Sequence, residues 1–382
     1  MTVAALLTRH EKTLSGLERK GRRRELVVGG GMDFTSNDYL ALAGSPRLKA
    51  AIAAAIERGV PVGSGGSRLL RGNHGEHVAL EAEAAAFFGV PRTQYFASGY
   101  AANAALFSTL PQRDDIIVHD ALIHASAREG IAASKAVAGA ATHNDVDAFA
   151  DKISQWRKAG GTGHPWIAVE SLYSMDGDRA PLADLAALAE RHDGFLVVDE
   201  AHATGVFGPD GRGVTAELEG RENLVVLHTC GKALGVSGAL IGGSAVLCDY
   251  LVNRARNFIY STAPSPLIAA AVREALAMLV DEPQRREEFD SLRAFANQAL
   301  AETLGIEGSG SQILPVIVGD NGRAVRIAAR MRVEGFDIRA IRPPTVPEGT
   351  ARLRIAITLN VDRPMITRML ERLKVAMAEE RP

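Results

Sequence analysis

From about residue 75 to residue 228, short apolar runs alternate with longer stretches whose apolar positions recur every three or four residues. The runs at 94–97, 115–119, 166–170, 195–198 and 224–228 predict strands. The stretches at 76–88, 99–110, 124–134 and 182–192 predict helices, and Gly89 stands where the first should stop. Asn144 and Asp145 sit at a cap position before a further helix ending near Lys158. Continuous apolar strands between helices point to a mostly parallel sheet covered on both faces. Beyond about residue 277 the rhythm changes. Strands are expected at 313–318, 336–341 and 353–358, with helices between them and at 365–378. The pattern predicts an α/β protein in three parts. These are an N-terminal arm (1–42) with a helix at 3–19 and a short strand at 32–34, a large domain (43–277), and a smaller α+β domain (278–382).

Charge and composition narrow the class. The 382 residues carry 43 basic and 45 acidic side chains, a net charge of -2 that gives no broad attraction to nucleic acid or an anionic membrane. Cys230 and Cys248 form no Cys-x-x-Cys pair and no disulfide framework, which suits a reducing compartment. The apolar run at 3–7 is too short for a secretory core, and no stretch approaches the roughly 20 apolar residues of a membrane span. The expectation is a soluble cytoplasmic protein.

Four places carry candidate chemistry. Asp199 ends the apolar run 195–198 and opens Asp199-Glu200-Ala201-His202. Ligands of open α/β sheets lie beyond the carboxyl ends of the strands, so Asp199 is placed to hold a protonated ring nitrogen; a helix cap or an ion pair is the plainer alternative. Lys232 follows the run 224–228 in His228-Thr229-Cys230-Gly231-Lys232. Partial burial would free its amine for a Schiff base, whereas alone it reads as a surface lysine. Ser98-Gly99-Tyr100 opens a helix after a strand, either a phosphate site or a plain turn. His124 is suited to stacking on a planar ring, or merely to starting a helix.

Two motifs are decoys. Residues 199–202 spell a helicase-like box, yet the only Gly-Lys pair, at 231–232, is followed by Ala233 and lacks the glycine a phosphate loop needs at 226. Gly29-Gly30-Gly31 has no helical start after it and reads as a turn between strands.

From about residue 33 onward the chain resembles the α-oxoamine synthase family of fold-type-I pyridoxal-5′-phosphate (PLP) enzymes. Seven motifs stand in family order: Ser36-Asn37-Asp38-Tyr39-Leu40, Gly63-Ser64-Gly65-Gly66-Ser67-Arg68, Ser98-Gly99-Tyr100, Ser174-Met175-Asp176-Gly177-Asp178, Asp199-Glu200-Ala201-His202, Thr229-Cys230-Gly231-Lys232 and Tyr260-Ser261-Thr262. The resemblance implies a fold-type-I PLP transferase with PLP as cofactor. It implies that Lys232 carries the covalent link, Asp199 pairs with the pyridine nitrogen, His202 meets the phenolic oxygen and His124 stacks on the ring. Gly99, Tyr100 and Thr229 would lie near the phosphate, Ser174 and Glu170 beside ring and substrate. Arg352 would bind the amino-acid carboxylate, with Arg354 a surface neighbour, and Asn37 would touch substrate. Of Arg22, Arg23 and Arg24, one would face the acyl chain's carboxylate, or all three form a solvated basic run. No metal is implied.

Ala340-Ile341-Arg342-Pro343-Pro344-Thr345-Val346-Pro347 resembles the branch that joins L-alanine to a pimeloyl thioester, on CoA or acyl carrier protein, in biotin synthesis. Glycine-using members, with acetyl-CoA or succinyl-CoA, and a non-catalytic partner subunit on the same fold remain the alternatives. The family also implies a homodimer, with Ser261 and Thr262 reaching the partner's phosphate or else capping a helix before Pro264. Tyr100 departs from the commoner Phe, and Cys230 and Ala233 depart from the commoner residues around the lysine.

Overall fold

A computed structural model describes residues 3–380. The chain divides into two compact units, one of residues 37–174 with 178–289, the other of residues 1–36, 175–177 and 290–382. The expected boundaries at 42/43 and 277/278 therefore move to 36/37 and 289/290. The second division falls inside the helix Pro283–Leu304. Phe289 sits against Tyr39, ring centroids 6.3 Å apart, while Leu292 and Ala296 belong to the core of the other unit. A helix that feeds two cores leaves no composition break for a reader of sequence to find.

The larger unit is built on a seven-stranded sheet. Its strands run in the order Arg92–Phe96, Ala239–Gly243, Leu224–Thr229, Phe195–Asp199, Pro165–Glu170, Ile116–Asp120, Val137–Ala141. All neighbours are parallel except Ala239–Gly243, which is antiparallel to both its partners. Alternation along a strand sends successive side chains to opposite faces. Thus Leu196 and Val198 join one core with Ile167 and Val169, while Val197 joins another with Ala168 and Trp166. Both faces are covered, which is why these strands read as unbroken apolar runs. Two strands of this sheet, Val137–Ala141 and Ala239–Gly243, fall outside the expected set; alanine and glycine dominate them and blur the strand signal.

The smaller unit holds an antiparallel sheet in the order Arg339–Ile341, Ala351–Ala356, Ile313–Gly319, and a two-residue parallel pair of Met32–Asp33 with Phe336–Asp337. The strand expected at 336–341 is thus split in two. Gly29-Gly30-Gly31 leads into Met32–Asp33, but no strand precedes it among the described residues, so it is not a turn between strands. Arg354 is 7% exposed, not a surface residue: it lies on the central strand, on the same face as Arg352. Among the described residues no helix is long and apolar enough to cross a membrane.

Candidate active site

Three neighbouring parallel strands end side by side at Glu170, Asp199 and Thr229. Glu170 is in register with Asp199, and Asp199 with Leu227. A cleft opens at these carboxyl ends. Of the residues expected at the site, Gly99, Tyr100, His124, Glu170, Asp199, His202, Thr229 and Lys232 line it together.

Each is held there by local structure. The Ser98 hydroxyl accepts from the Ala101 N–H at 3.1 Å and caps the helix Gly99–Thr109. That leaves the first N–H groups of the helix at the cleft, beside Thr229. A Cβ on Gly99 would come within 3.4 Å of Thr229 Oγ1, so glycine suits this close approach. Lys232 stands in a tight loop in which Cys230 N–H donates to Gly238 O (2.9 Å) and Gly235 N–H to Lys232 O (2.8 Å). Gly235 has φ +65, and a Cβ there would lie 2.3 Å from Ala43 N, so no other residue fits. His124 caps the helix Ala125–Ala132, its Nδ1 2.7 Å from Ser126 Oγ. The ring remains exposed to the cleft.

The polar network at the cleft is dense. Lys232 Nζ is 2.7 Å from His202 Nε2. His202 Nδ1 is 2.6 Å from the hydroxyl of Tyr39, which donates to Asn37 Oδ1 at 3.0 Å. Asp199 accepts from Ala201 N–H at 2.9 Å through one oxygen and from Asn103 Nδ2 at 2.8 Å through the other. Burial, and then the adjacent Asp199 carboxylate, push Glu170 up to about 8, against the opposing pull of Lys232 and the Ser174 N–H. The backbone of His124 also favours the charged form of Glu170, but burial outweighs it.

These groups fit PLP. An acidic oxygen pair at a strand end suits a pyridine N–H, a lysine amine suits a Schiff base, and a capped helix start beside a threonine hydroxyl suits a phosphate. The fit is chemical: the residue types at the cleft match the groups the cofactor carries.

The comparisons agree. The family model described as aminotransferase class I and II matches residues 30–373. The 8-amino-7-oxononanoate synthase of Anaeromyxobacter dehalogenans is 41% identical over 97% of this chain and 95% of its own length. The chain belongs to the α-oxoamine synthases, a family of fold-type-I PLP enzymes. Among solved structures, 8-amino-7-oxononanoate synthase from Francisella tularensis superposes with a TM-score of 0.75 at 30% identity, covering 90% of this chain and 97% of that one. Serine palmitoyltransferase from S. paucimobilis, at 24% identity, shares the fold over 100% of this chain and 99% of its own, with a TM-score of 0.90.

The remaining expected residues of this α-oxoamine synthase stand as follows. Ser174 is buried, and its N–H donates to Glu170 at 3.2 Å. Asn37 reaches the network through Tyr39. Arg352 and Arg22 belong to the smaller unit. There the Arg352 guanidinium is 5% exposed, pairs with Asp176, and donates to Met175 O at 3.2 Å and Thr350 O at 3.1 Å. Arg22 pairs with Glu348 at 2.5 Å and lines a pocket with Arg24 and Arg342, while Arg23 pairs with Glu18 at 3.0 Å. Ser265, not Ser261 or Thr262, occupies the cap position before the helix Pro266–Asp281.

Two residues of the network were not legible beforehand. Asn103 lies inside a helix, and Tyr39 opens an apolar run after Asp38, so neither stood out locally. The only advance signal for Tyr39 was its membership of the Ser36–Leu40 motif. Asn103 gave none.

Proposed function

We propose that the chain performs the PLP-dependent condensation of L-alanine with a pimeloyl thioester, with loss of CO2, to give 8-amino-7-oxononanoate for biotin synthesis. The observation that carries this reading is the near-full-length identity to 8-amino-7-oxononanoate synthases. In the net reaction alanine Cα loses a proton and bonds to the acyl carbon, the C–S bond breaks and the thiolate takes up a proton to leave as thiol, the carboxylate leaves as CO2, and the electron pair left on Cα takes up a second proton.

Lys232 holds the cofactor, Asp199 its ring nitrogen, His124 its face and His202 its phenolic oxygen. Gly99, Tyr100 and Thr229 hold its phosphate. Bound PLP supplies an electron sink for the charge left at Cα. Lys232 Nζ, once free, takes the Cα proton as general base, and its contact with His202 Nε2 keeps the amine aimed. Asp199 keeps the ring nitrogen protonated, and its two held oxygens fix the carboxylate for that task. Glu170 and Ser174 stand beside ring and substrate, and Asn37 touches substrate. Arg352 takes the amino-acid carboxylate, its planar fork oriented meanwhile by Asp176 and Thr350. Three guanidinium groups lining one pocket, those of Arg22, Arg24 and Arg342, support a seat for the acyl chain's far carboxylate.

The reading includes a cytoplasmic homodimer. Leu70 (85% exposed) and Tyr260 (76%) are exposed large side chains of the kind a second copy would cover.

The test is purified protein with PLP, L-alanine and pimeloyl-CoA, following thiol release and product mass, beside glycine with acetyl-CoA. Thiol release with alanine and pimeloyl-CoA alone, giving the decarboxylated amino-ketone, supports the reading. Release with glycine only keeps the family and overturns the substrate. Lys232→Ala should end turnover and leave PLP bound only non-covalently; turnover in that variant refutes the role of Lys232.

A further inference from the structure

We propose that His143 is a positioning residue: by bridging Asp120 and Asp178, it ties the turn that presents His124 to the segment that follows Glu170. His143 stands just past the strand Val137–Ala141, half-buried, and is not among the residues lining the cleft. Its Nδ1 is 2.9 Å from Asp120 Oδ1 and its Nε2 is 2.7 Å from Asp178 Oδ2. An ionised carboxylate can only accept, so the ring donates through both nitrogens and carries a positive charge. Asp120 is kept ionised by the N–H groups of Leu122 (2.7 Å) and Asn144 (2.9 Å), and Asp178 is half-exposed to water. Asn144 Nδ2 lies 3.3 Å from the same ring nitrogen but donates to Asp178 Oδ2 at 2.7 Å, so two donors share that oxygen. Tyr173 meets the imidazole edge-on, ring centroids 4.5 Å apart; burial, then Asp120 and Glu170, raise its pKa and keep it a neutral phenol.

Both ends of the bridge lead to the cleft. Asp120 is fully buried at the end of its strand. Its carboxylate accepts the Leu122 N–H, and its carbonyl accepts the Ile123 N–H at 3.2 Å. That turn delivers His124 to the start of the helix Ala125–Ala132. Arg128 holds the carbonyl side of the turn, donating to Ala121 O and, at 3.0 Å, to Ile123 O. The N–H side rests on Asp120. At the other end, Asp178 lies on a return that pairs with the residues after Glu170: Tyr173 N–H donates to Asp178 O at 2.9 Å, and Ala180 N–H to Ser171 O at 3.3 Å. The two turns meet at Glu170, whose charged form the His124 backbone favours. Without the imidazolium, Asp120 would be a buried charge with no cation against it. Protonation or inserted water would relieve that charge and loosen the Leu122 N–H. The consequence for PLP rests on the stacking role given to His124 above; the tie between the two turns does not.

The experiment uses the full-length chain. In the PLP-free protein, amide exchange read by mass spectrometry should quicken roughly tenfold around Leu122 and around Tyr173 in His143→Gln, while the strand Leu224–Thr229 stays as in the wild type. Asp178→Asn, which leaves the contact between His143 and Asp120, should quicken exchange around Tyr173 and spare Leu122. The dissociation constant for PLP, read from cofactor absorbance, should rise roughly three- to tenfold in His143→Gln, and by much less when His124 is already alanine. That non-additivity separates a residue acting through His124 from one that merely stabilises the fold. Unchanged exchange at both turns, or an equal rise across the whole sheet, overturns the tie. Equal PLP losses with and without His124 overturn the route through that ring. Unaltered PLP affinity in His124→Ala alone refutes the stacking role instead, and the exchange pattern still decides the tie. Should His143→Gln fail to fold, Asp178→Asn decides, and unchanged exchange around Tyr173 in that variant overturns the proposal.

Discussion

Asn103→Ala tests how the site holds its acidic anchor. Asn103 is 2% exposed on the helix Gly99–Thr109, and its amide donates to Asp199 Oδ2 at 2.8 Å and to Ser126 Oγ at 3.0 Å. A hydrogen bond to a charged acceptor contributes about 1.5–3 kcal/mol, and a neutral one about 0.5–1.5 kcal/mol. The larger effect should come from Asp199, whose buried oxygen loses a donor it cannot replace from bulk water. Together the two losses should destabilise the larger unit by about 2–4 kcal/mol. Urea unfolding followed by tryptophan fluorescence reads that unit directly, because Trp156 and Trp166 both lie in it. Affinity for PLP should weaken in the same variant, since Asp199 is less firmly aimed. A change below about 0.5 kcal/mol with unaltered PLP affinity would mean that Asp199 is held by its own backbone turn, and that the helix contributes nothing to the site.

Gly235→Ala should destabilise the Lys232 loop by at least about 1–3 kcal/mol, because the new Cβ meets Ala43 N at 2.3 Å and the backbone stays at φ +65. Loss of PLP at temperatures where the wild type retains it checks this, and wild-type retention refutes it. His143 supplies a pH signature: burial alone would lower its pKa, but its hydrogen bonds to Asp120 (2.9 Å) and Asp178 (2.7 Å) raise it to about 10. A folded pKa above the ordinary 6.5 means its stabilisation is fully present below about pH 6.5 and fades as pH rises through about 10. The gap in urea stability between wild type and His143→Gln should therefore narrow across that window. A constant gap would show that the imidazolium is not what ties the two aspartates.

The large sheet and its chemistry were legible because each catalytic candidate follows an apolar run. Asp199 and Lys232 come where buried strands end; each alone also suited a cap, an ion pair or a surface position, and it was their joint occurrence that pointed to a site. The helix Pro46–Glu57 also carried a signal, Ser45 at the cap and Pro46 at the first turn, though no periodic stretch was read there. Arg354 read as a surface residue because a strand with alternating arginines resembles a solvated edge. Only the pairing on both its sides shows that the strand is central.

By itself the sequence determined the fold class, most of the strands of the large sheet and the residue types at their ends. These depend on local periodicity, which every residue carries with it. The tertiary structure decided which of those residues share a cleft, and it added partners from far away: Asn103 reaches Asp199 across 96 residues, and Tyr39 reaches His202 across 163. An asparagine in a helix and a tyrosine in an apolar run have the same local pattern whether they pack or position. What separates the two roles is a hydrogen bond a few ångströms long, made only when distant segments fold together.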